Sequence, residues 1–249
     1  MFQTYKDIFS LRANSYHQAM LDCPRARDSE FRAVLSQYAP AAGDTVCDIP
    51  AGGGYFWNYL KDSNCQYMAV ETSKYFYDNC PINAQQQRLL CDMHQIELPD
   101  SSIDVLYCIT GLHHIENRHQ VYQEFFRLLK PQSYCVIAEV AAGSAVDRFL
   151  NQFVDQHNSM GHKGEFIDEH DLAAMLSCGF YVKSDIDLDY DWEFSSIDEM
   201  NHYCKLLFGL DQATDEQIES GIRDILTYDN DKKVVQMRWG LRFITLQKP

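Results

Sequence analysis

Three consecutive glycines follow an apolar run and an acid in residues 46–57, VCDIPAGGGYFW. Glycine takes positive φ values and allows close backbone approach, so Gly52, Gly53 and Gly54 predict a turn on which a ligand lies directly. A strand, a glycine turn and a helix together present free backbone N–H groups and a positive helix end. A purely structural turn explains the glycines about as well, so their neighbours must decide the interpretation.

Acids follow three successive strand candidates. Asp48 ends the first and Glu71 ends the second, where an acid can accept hydrogen bonds from both hydroxyls of a ribose. Asp92 follows the third, next to Met93, where the acid can accept from an adenine amino group while the methionine packs on the ring. Because ligands of α/β sheets bind at the carboxyl ends of strands, the three acids predict one nucleoside-binding crevice.

The glycine pattern departs from two familiar phosphate-binding motifs. The dinucleotide fingerprint G-x-G-x-x-G requires a third glycine, but Gly54 is followed by Tyr55, Phe56 and Trp57. The Gly-Lys-Ser/Thr ending of a Walker loop is absent as well. A nicotinamide-dependent oxidoreductase on a similar sheet is therefore a less favoured alternative.

The chain alternates between apolar strand candidates and helical segments. Strands are predicted at 45–49, 66–70, 89–91, 103–109, 134–140, 180–188 and 235–247. Helical segments are predicted at 28–38, 55–61, 118–129, 145–158, from residue 168, at 197–208 and at 215–226. Strands spaced by helices are typical of an α/β fold, with a parallel sheet that carries helices on both faces.

Composition restricts the partners. The formal net charge is −15, from 21 Lys and Arg against 36 Asp and Glu, and nucleic-acid binding needs cations that neutralise phosphates. We therefore expect no nucleic-acid partner. The nine cysteines form no C-x-x-C pair, which favours reduced thiols in a cytoplasmic protein. No apolar run approaches the roughly 20 residues of a membrane span, and MFQTYKDIFSLR is unlike a secretory signal.

These features resemble the class I S-adenosylmethionine-dependent methyltransferases, in the branch that includes quinone-biosynthesis enzymes. The resemblance runs from about residue 9 to residue 140. It rests on VCDIPAGGG, MAVETS, LLCDMHQIELPDSSIDVLYCITGLHHIEN and VYQEFFRLLKPQSYCVIAEV, and on FSLRANSYHQAM as the N-terminal helix. It implies a Rossmann-like seven-stranded α/β sheet with helices on both faces, capped by N-terminal helices and by a helical insertion before the last strand.

The resemblance also implies a division of the chain. We expect one methyltransferase domain over residues 1–249, with a helical cap in residues 1–40. Residues 41–141 would form the cofactor-binding half, and residues 142–249 the substrate-side half with the insertion at about 195–228. The sequence carries no indication of oligomeric state.

The implied cofactor is S-adenosyl-L-methionine. Its amino-acid part would lie on the glycine turn, its ribose on Glu71 and its adenine between Asp92 and Met93, with Tyr16 closing over it. Pro50 departs from the family because it replaces a usual glycine and removes an N–H. The residues that the resemblance assigns to the cofactor are Tyr16, Asp48, Ala51, Gly52, Gly53, Gly54, Glu71, Thr72, Asp92, Met93, Thr110 and Gly111.

Methyl transfer from a sulfonium is an in-line displacement, so positioning can supply on the order of 7–11 kcal/mol. A general base typically adds only about 10²–10⁴-fold, and none is obligatory. Histidines are the base candidates: His113 follows the fourth strand, and His157 and His162 flank a glycine loop. His114 is expected to pack beneath the site.

The remaining expectations concern metal and acceptor. His113, His114 and His119 have no carboxylate within reach, so we expect no metal site. The Asn/Asp-Pro-Pro-aromatic motif of amino-methylating relatives is missing at residues 109–112. We therefore expect methylation of an O or C atom, less so N, on a small-molecule substrate. The alternative outside catalysis is a cofactor-binding or regulatory protein.

Overall fold

The computed structural model describes residues 4–231 and 233–249, and its strands form one mixed sheet. The spatial order is β3-β2-β1-β4-β5-β8-β6, with β7 paired to β8. Strands β1 to β5 are mutually parallel, and β8 runs antiparallel to both β5 and β6. The strands are β1 Thr45–Asp48, β2 Gln66–Glu71, β3 Gln86–Leu90, β4 Ile103–Ile109, β5 Leu129–Glu139, β6 Tyr181–Phe194, β7 Tyr228–Asp229 and β8 Val235–Gln247.

Helices cover both faces of this sheet. Two of them continue into π-helical turns, Phe149–Val154 after α6 and Ile222–Leu226 after α10. Capping boxes fix the starts of α1 at Thr4 and of α8 at Asp168. The helices are α1 Tyr5–Asp22, α2 Asp28–Gln37, α3 Trp57–Leu60, α4 Lys74–Asn79, α5 Arg118–Leu128, α6 Ala145–Arg148, α7 Asp155–His157, α8 Glu169–Ser177, α9 Ile197–Phe208 and α10 Asp215–Gly221.

Both sheet faces are buried, which explains the near-continuous apolar strands. In β5, Val136 packs into the core on the face of α2 and α9, whereas the next residue, Ile137, packs into the core on the face of α5. Neighbouring β4 repeats this alternation with Tyr107 and Leu106. The predicted α/β fold with helices on both faces is thus confirmed, with seven longer strands and the two-residue β7.

Several element boundaries differ from the prediction, among them the start of β5, which lies at Leu129 and not at residue 134. Strand β6 continues to Phe194, beyond the predicted residue 188, because it pairs with β8 along its whole length. Helix α3 is shorter than predicted because Trp57 and Asn58 donate to carbonyls three residues back, as in turns. Strand β3 begins at Gln86 and ends before Cys91, since it pairs with β2 over those residues.

The N-terminal helices and the insertion pack together beside the carboxyl ends of the strands. Helix α1 lies against α9, and α2 lies against β6. The Tyr203 hydroxyl contacts the Met20 sulfur at 3.3 Å, and His202 Nε2 lies 2.9 Å from Asp22 Oδ2. These contacts form the predicted cap. Within the described ranges, the helices lack the combination of length and apolar character that crossing a membrane requires.

Candidate functional site

A single cavity collects much of the predicted site. It lies at the carboxyl ends of β1 and β4, beneath α1, and reaches the insertion. The predicted residues that line it are Tyr16, Asp48, Ala51, Gly52, Thr110, His113 and His162. The predicted residues outside its lining are Gly53, Gly54, Glu71, Thr72, Asp92, Met93, Gly111 and His157.

The glycine turn needs its glycines for different reasons. Gly52 and Gly54 have φ values of 56° and 73°, in the left-handed region that favours glycine. A Cβ atom at Gly53 would instead lie 2.7 Å from the Tyr55 ring, which folds back over the turn. The Tyr55 hydroxyl is held 2.6 Å from His17 Nδ1 on α1. The turn is therefore covered by α1 and by its own following residue.

Gly111 has a packing role rather than a place in the cavity. A Cβ atom there would overlap the ring of Pro50, far inside van der Waals contact. Pro50 and the neighbouring Thr110 both line the cavity. Thr110 therefore lies in the cavity lining, whereas Gly111 does not, because the ring of Pro50 fills the space beside it.

Glu71 links the second strand to the glycine turn. Its Oε1 accepts from the N–H groups of Thr72 and Ser73, each at 2.8 Å. Its Oε2 accepts from the N–H of Gly52 at 2.8 Å and from the Tyr5 hydroxyl at 3.2 Å. Burial raises the pKa of Glu71 to about 7, although these hydrogen bonds lower it. The side chain is 1% exposed and sits directly behind the cavity.

Thr72 and Asp48 extend this polar region. The Thr72 Oγ1 is buried and has no hydrogen-bond partner among the residues described. Asp48 is buried at the end of β1, where its carboxylate accepts from the Tyr67 hydroxyl. Burial raises the pKa of Asp48 to about 7, because the one hydrogen bond does not offset desolvation. Both acids thus titrate near neutrality.

Asp92 and Met93 lie apart from the cavity. The Asp92 side chain is 67% exposed and accepts from the backbone N–H of His94 at 2.8 Å. Partial burial raises its pKa, but the His94 contacts outweigh this and the net shift is downward. Met93 is 1% exposed and packs in the core below the sheet. The side chains do not form a slot beside the cavity, because one faces outward and the other inward.

Glu139 is a site residue that the sequence reasoning missed. Its Oε1 lies 2.9 Å from His113 Nδ1, and it also accepts from the N–H groups of Leu112 and Val140. Burial would raise the pKa of Glu139, but His113 and the backbone donors hold it below the usual value. The carboxylate therefore favours the tautomer in which Nδ1 donates and Nε2 accepts. The sequence feature that could have identified Glu139 is its place as an acid at the end of an apolar strand, as at Asp48.

Three histidines meet at the insertion end of the cavity. The ring centroid of His114 lies 4.3 Å from that of His113 and 4.9 Å from that of His162. One possible ligand atom from each of the three lies within 4.8 Å of the others. His119, which the sequence analysis grouped with them, instead contacts Ser177 Oγ at 3.2 Å. His157 lies away from the cavity with its ring against Phe153, at 4.6 Å.

His162 is held neutral. Burial, with smaller contributions from the nearby His113 and Arg12, lowers its pKa to about 3. Its Nδ1 lies 3.3 Å from Asn151 Oδ1, an acceptor that also receives the N–H of Gly164. A neutral imidazole that donates from Nδ1 keeps Nε2 as an acceptor.

Arg27 and Glu30 form a buried ion pair that no local pattern announced. Arg27 donates to the Tyr16 hydroxyl at 2.7 Å and to Thr110 Oγ1 at 3.4 Å. Glu30 accepts from Trp192 Nε1 at 3.1 Å. The pair fixes the guanidinium beside two predicted cofactor residues, and its charge is balanced within the protein.

Part of the chain matches a known family model, and other proteins are similar to it. Residues 47–137 match a family model described as a methyltransferase domain. A curated relative, malonyl-(acyl-carrier protein) O-methyltransferase from Yersinia pestis, is 25% identical over 185 residues. That match covers 72% of this chain and 64% of the relative, so it spans under two thirds of the relative's length.

Solved structures share the fold. The (4+2)-cyclase SpnF aligns with a TM-score of 0.67 and 13% identity, over 99% of this chain and 97% of that one. Geranyl diphosphate C-methyltransferase from Streptomyces coelicolor A3(2), in complex with S-adenosyl-L-homocysteine, aligns with a TM-score of 0.62 and 13% identity. That alignment covers 94% of this chain and 84% of the other. The quinone-biosynthesis branch is not distinguished by these matches. The comparisons thus show a methyltransferase domain in residues 47–137 and a fold shared with a solved methyltransferase structure.

Proposed function

We propose that this chain transfers a methyl group from S-adenosylmethionine to an oxygen or carbon atom of a small metabolite. The observation that carries the proposal is the hydrogen bond from the Gly52 N–H to Glu71 Oε2, at 2.8 Å. It joins the glycine turn to the acid that ends the second strand, beside one cavity. The methyltransferase domain in residues 47–137 supports the same reaction.

The residues present fit the cofactor in chemical type. Positive φ values at Gly52 and Gly54 give a tight turn without Cβ atoms, which leaves room for an amino-acid tail. Glu71 would accept from a ribose hydroxyl in place of the Tyr5 hydroxyl, and the unpartnered Thr72 Oγ1 beside it supplies a further polar group. Tyr16 and Thr110 line the tail end. When bound, S-adenosylmethionine supplies the electrophilic methyl group on its sulfonium.

The remaining cofactor residues enter the proposal by position. Gly53, Ala51 and Asp48 complete the turn, and Gly111 supports it through Pro50. Asp92 and Met93 follow β3, where we propose that they flank the adenine once their side chains turn toward it.

His113 is the best-positioned base on the chain. Glu139 holds its Nδ1, so its Nε2 accepts a proton while the carboxylate stabilises the resulting imidazolium. His162 is a second acceptor at the same end, kept neutral by burial. We do not assign His157 a role in the reaction, since it lies away from the cavity. We propose that the cluster of His113, His114 and His162 works without a metal ion, because the positive charge of Arg12 lies near it.

The acceptor is proposed to be small and partly apolar. Leu150, Trp192, Phe208 and Trp239 line the cavity toward the insertion, so an apolar body would be enclosed there. The relatives named above act on an oxygen and a carbon atom, which supports those two atom types. A net charge of −15 argues against nucleic acid, and nine free thiols suit the cytoplasm.

Calorimetry with S-adenosylhomocysteine, followed by incubation of cell extract with isotope-labelled methyl donor, tests the proposal. We expect saturable binding that Glu71→Gln weakens and that the exposed control Glu97→Gln leaves unchanged. A labelled small molecule should then appear only with active protein. Binding without any labelled product would favour the regulatory alternative, and absence of binding would overturn the proposal.

A further inference from the structure

Arg12 carries a guanidinium charge into the cavity without a carboxylate partner. It projects from α1, and its Nη2 donates to the carbonyl of Leu207 at 2.9 Å. Its Nε is buried and has no hydrogen-bond partner in the described part of the chain. Across residues 4–231 and 233–249, no acid lies within ion-pair distance of Arg12; Asp211 acts on it from farther away. Burial lowers the pKa of Arg12 to about 10.

The backbone makes room for this side chain. Gly209 ends α9 in the left-handed region, with φ 64°, and a Cβ atom there would overlap Arg12 Nε. The Leu207 carbonyl thus holds the guanidinium at the cavity wall, and the absence of a side chain at Gly209 leaves space for it.

The second arginine of the cavity provides the contrast. Arg27 is ion-paired with Glu30 and sits beside Tyr16 and Thr110, at the end proposed for the cofactor. Arg12 sits beside His162 and Leu207, at the insertion end. A buried charge without a contacting carboxylate is unfavourable, and Asp211 acts on Arg12 only from a distance, so the guanidinium favours a ligand that brings one negative charge.

The wall next to Arg12 is aromatic. Leu207 accepts from Arg12, and the following residue, Phe208, lies with its ring centroid 5.6 Å from Trp239. Trp192 stacks on Trp239 at 4.3 Å, and both indoles line the cavity. A ligand held at Arg12 would therefore have its anionic group beside a flat apolar surface.

We propose that Arg12 binds a carboxylate of the methyl acceptor, so that the substrate is a monoanionic acid with an apolar or aromatic body. This inference rests on the proposed methyl transfer and names its substrate class. A diphosphate would bring more negative charge than the one unpaired guanidinium balances. A metal ion on His113, His114 and His162 would lie close to the same positive charge, which disfavours it.

Matched probe pairs test the proposal on the full chain saturated with S-adenosylhomocysteine. The pairs are 3-phenylpropanoate with its primary amide, indole-3-acetate with its amide, and octanoate with its amide, measured by calorimetry. A charge-assisted hydrogen bond in the cavity should make at least one acid bind about ten-fold more tightly than its amide. Arg12→Gln should abolish that difference, and Arg12→Lys should retain part of it.

Controls separate this inference from the proposed function. Arg12→Gln and Arg12→Lys should keep the wild-type affinity for S-adenosylhomocysteine and a cooperative thermal transition. Arg25→Gln, which alters an 85% exposed side chain, should change neither affinity. The inference is overturned if no acid binds more tightly than its amide, if phenyl phosphate binds and the acids do not, or if Arg12→Gln weakens S-adenosylhomocysteine binding. Failure of the wild type to bind S-adenosylhomocysteine would instead remove the proposed function.

Discussion

The Tyr5 hydroxyl lies 3.2 Å from Glu71 Oε2 and fills an acceptor position of that carboxylate. Three backbone N–H groups, from Gly52, Thr72 and Ser73, take the others. A carboxylate offers about four acceptor sites, so Glu71 has none left for a ribose. A ribose hydroxyl that binds Glu71 must therefore displace one of these donors, and the Tyr5 hydroxyl makes the longest of the four contacts.

Tyr5→Phe should raise the affinity for S-adenosylhomocysteine about two- to ten-fold. The variant keeps the buried ring but removes the hydroxyl that competes for Glu71, and one such hydrogen bond is worth about 0.5–1.5 kcal/mol net. Calorimetry measures the change. Tyr75→Phe is the matched control, since the Tyr75 hydroxyl donates to Asn14 on α1, the helix that carries Tyr5. Unchanged or weaker binding by Tyr5→Phe would show that the two residues do not compete.

The buried acids make stability depend on pH in an unusual direction. The pKa values of Asp48 and Glu71 are raised to about 7 in the folded chain, above their ordinary values. Between the ordinary carboxyl range and pH 7, the folded chain therefore binds more protons than the unfolded chain. The stabilisation is fully present below the unfolded pKa and is lost as the pH rises through the folded one.

Urea unfolding at pH 5 and pH 7.5 checks this sign. Glu71 contributes a fall in the free energy of unfolding between the two pH values, whereas the lowered pKa of His162 contributes a rise. Glu71→Gln removes only the first contribution, so its change from pH 5 to pH 7.5 should be more positive than that of the wild type. The exposed Glu97→Gln should leave the wild-type pH dependence in place. If Glu71→Gln follows the wild-type curve, Glu71 is not the protonated group.

Local sequence patterns predicted where strands end and therefore which residues lie at the carboxyl edge of the sheet. Asp48 and Glu71 lie where apolar strands end, and sheet geometry alone brings such positions to one edge. Asp92 and Met93 follow β3 along the chain, but the direction of their side chains depends on the contact with His94 and on the core. The local sequence offers His157 and His162 equally as site residues, but only the side chain of His162 reaches the cavity.

Long-range partners explain the residues that sequence reasoning missed. The ion pair of Arg27 and Glu30 depends on Trp192, which lies on β6 far along the chain and donates to Glu30. Arg12 depends on the carbonyl of Leu207 and on the glycine after α9. No periodicity in the N-terminal helices records these contacts, since the partners come from the insertion.

Gly111→Ala should lower the free energy of unfolding by about 1–3 kcal/mol, the usual range for overpacking. The new methyl group would overlap the ring of Pro50, which has little freedom to move. Gly53→Ala is the comparison variant, because its Cβ would meet the outer end of the Tyr55 side chain, whose displacement breaks the contact with His17 but moves no backbone ring. Urea unfolding compares the two variants. Equal losses would show that the Pro50 contact is not the constraint at Gly111.

Glu139→Gln should lower the rate of methyl transfer by up to about 10²–10⁴-fold, the range of general base catalysis. The amide preserves the size of the side chain but removes the charge that orients His113 and stabilises its imidazolium. Single-turnover measurement with labelled donor and an identified acceptor gives the rate. His113→Ala should reduce it similarly, and the double variant should add little, because the residues act as a unit.

Two readouts separate this role from a structural one. Binding of S-adenosylhomocysteine should stay at the wild-type level in Glu139→Gln, since Glu139 contacts the His113 side and not the glycine turn. Glu139→Asp should recover part of the lost rate by restoring the charge. Additive losses in the double variant would mean that Glu139 acts on the reaction by a route other than His113, and unchanged rates would mean that catalysis rests on positioning alone.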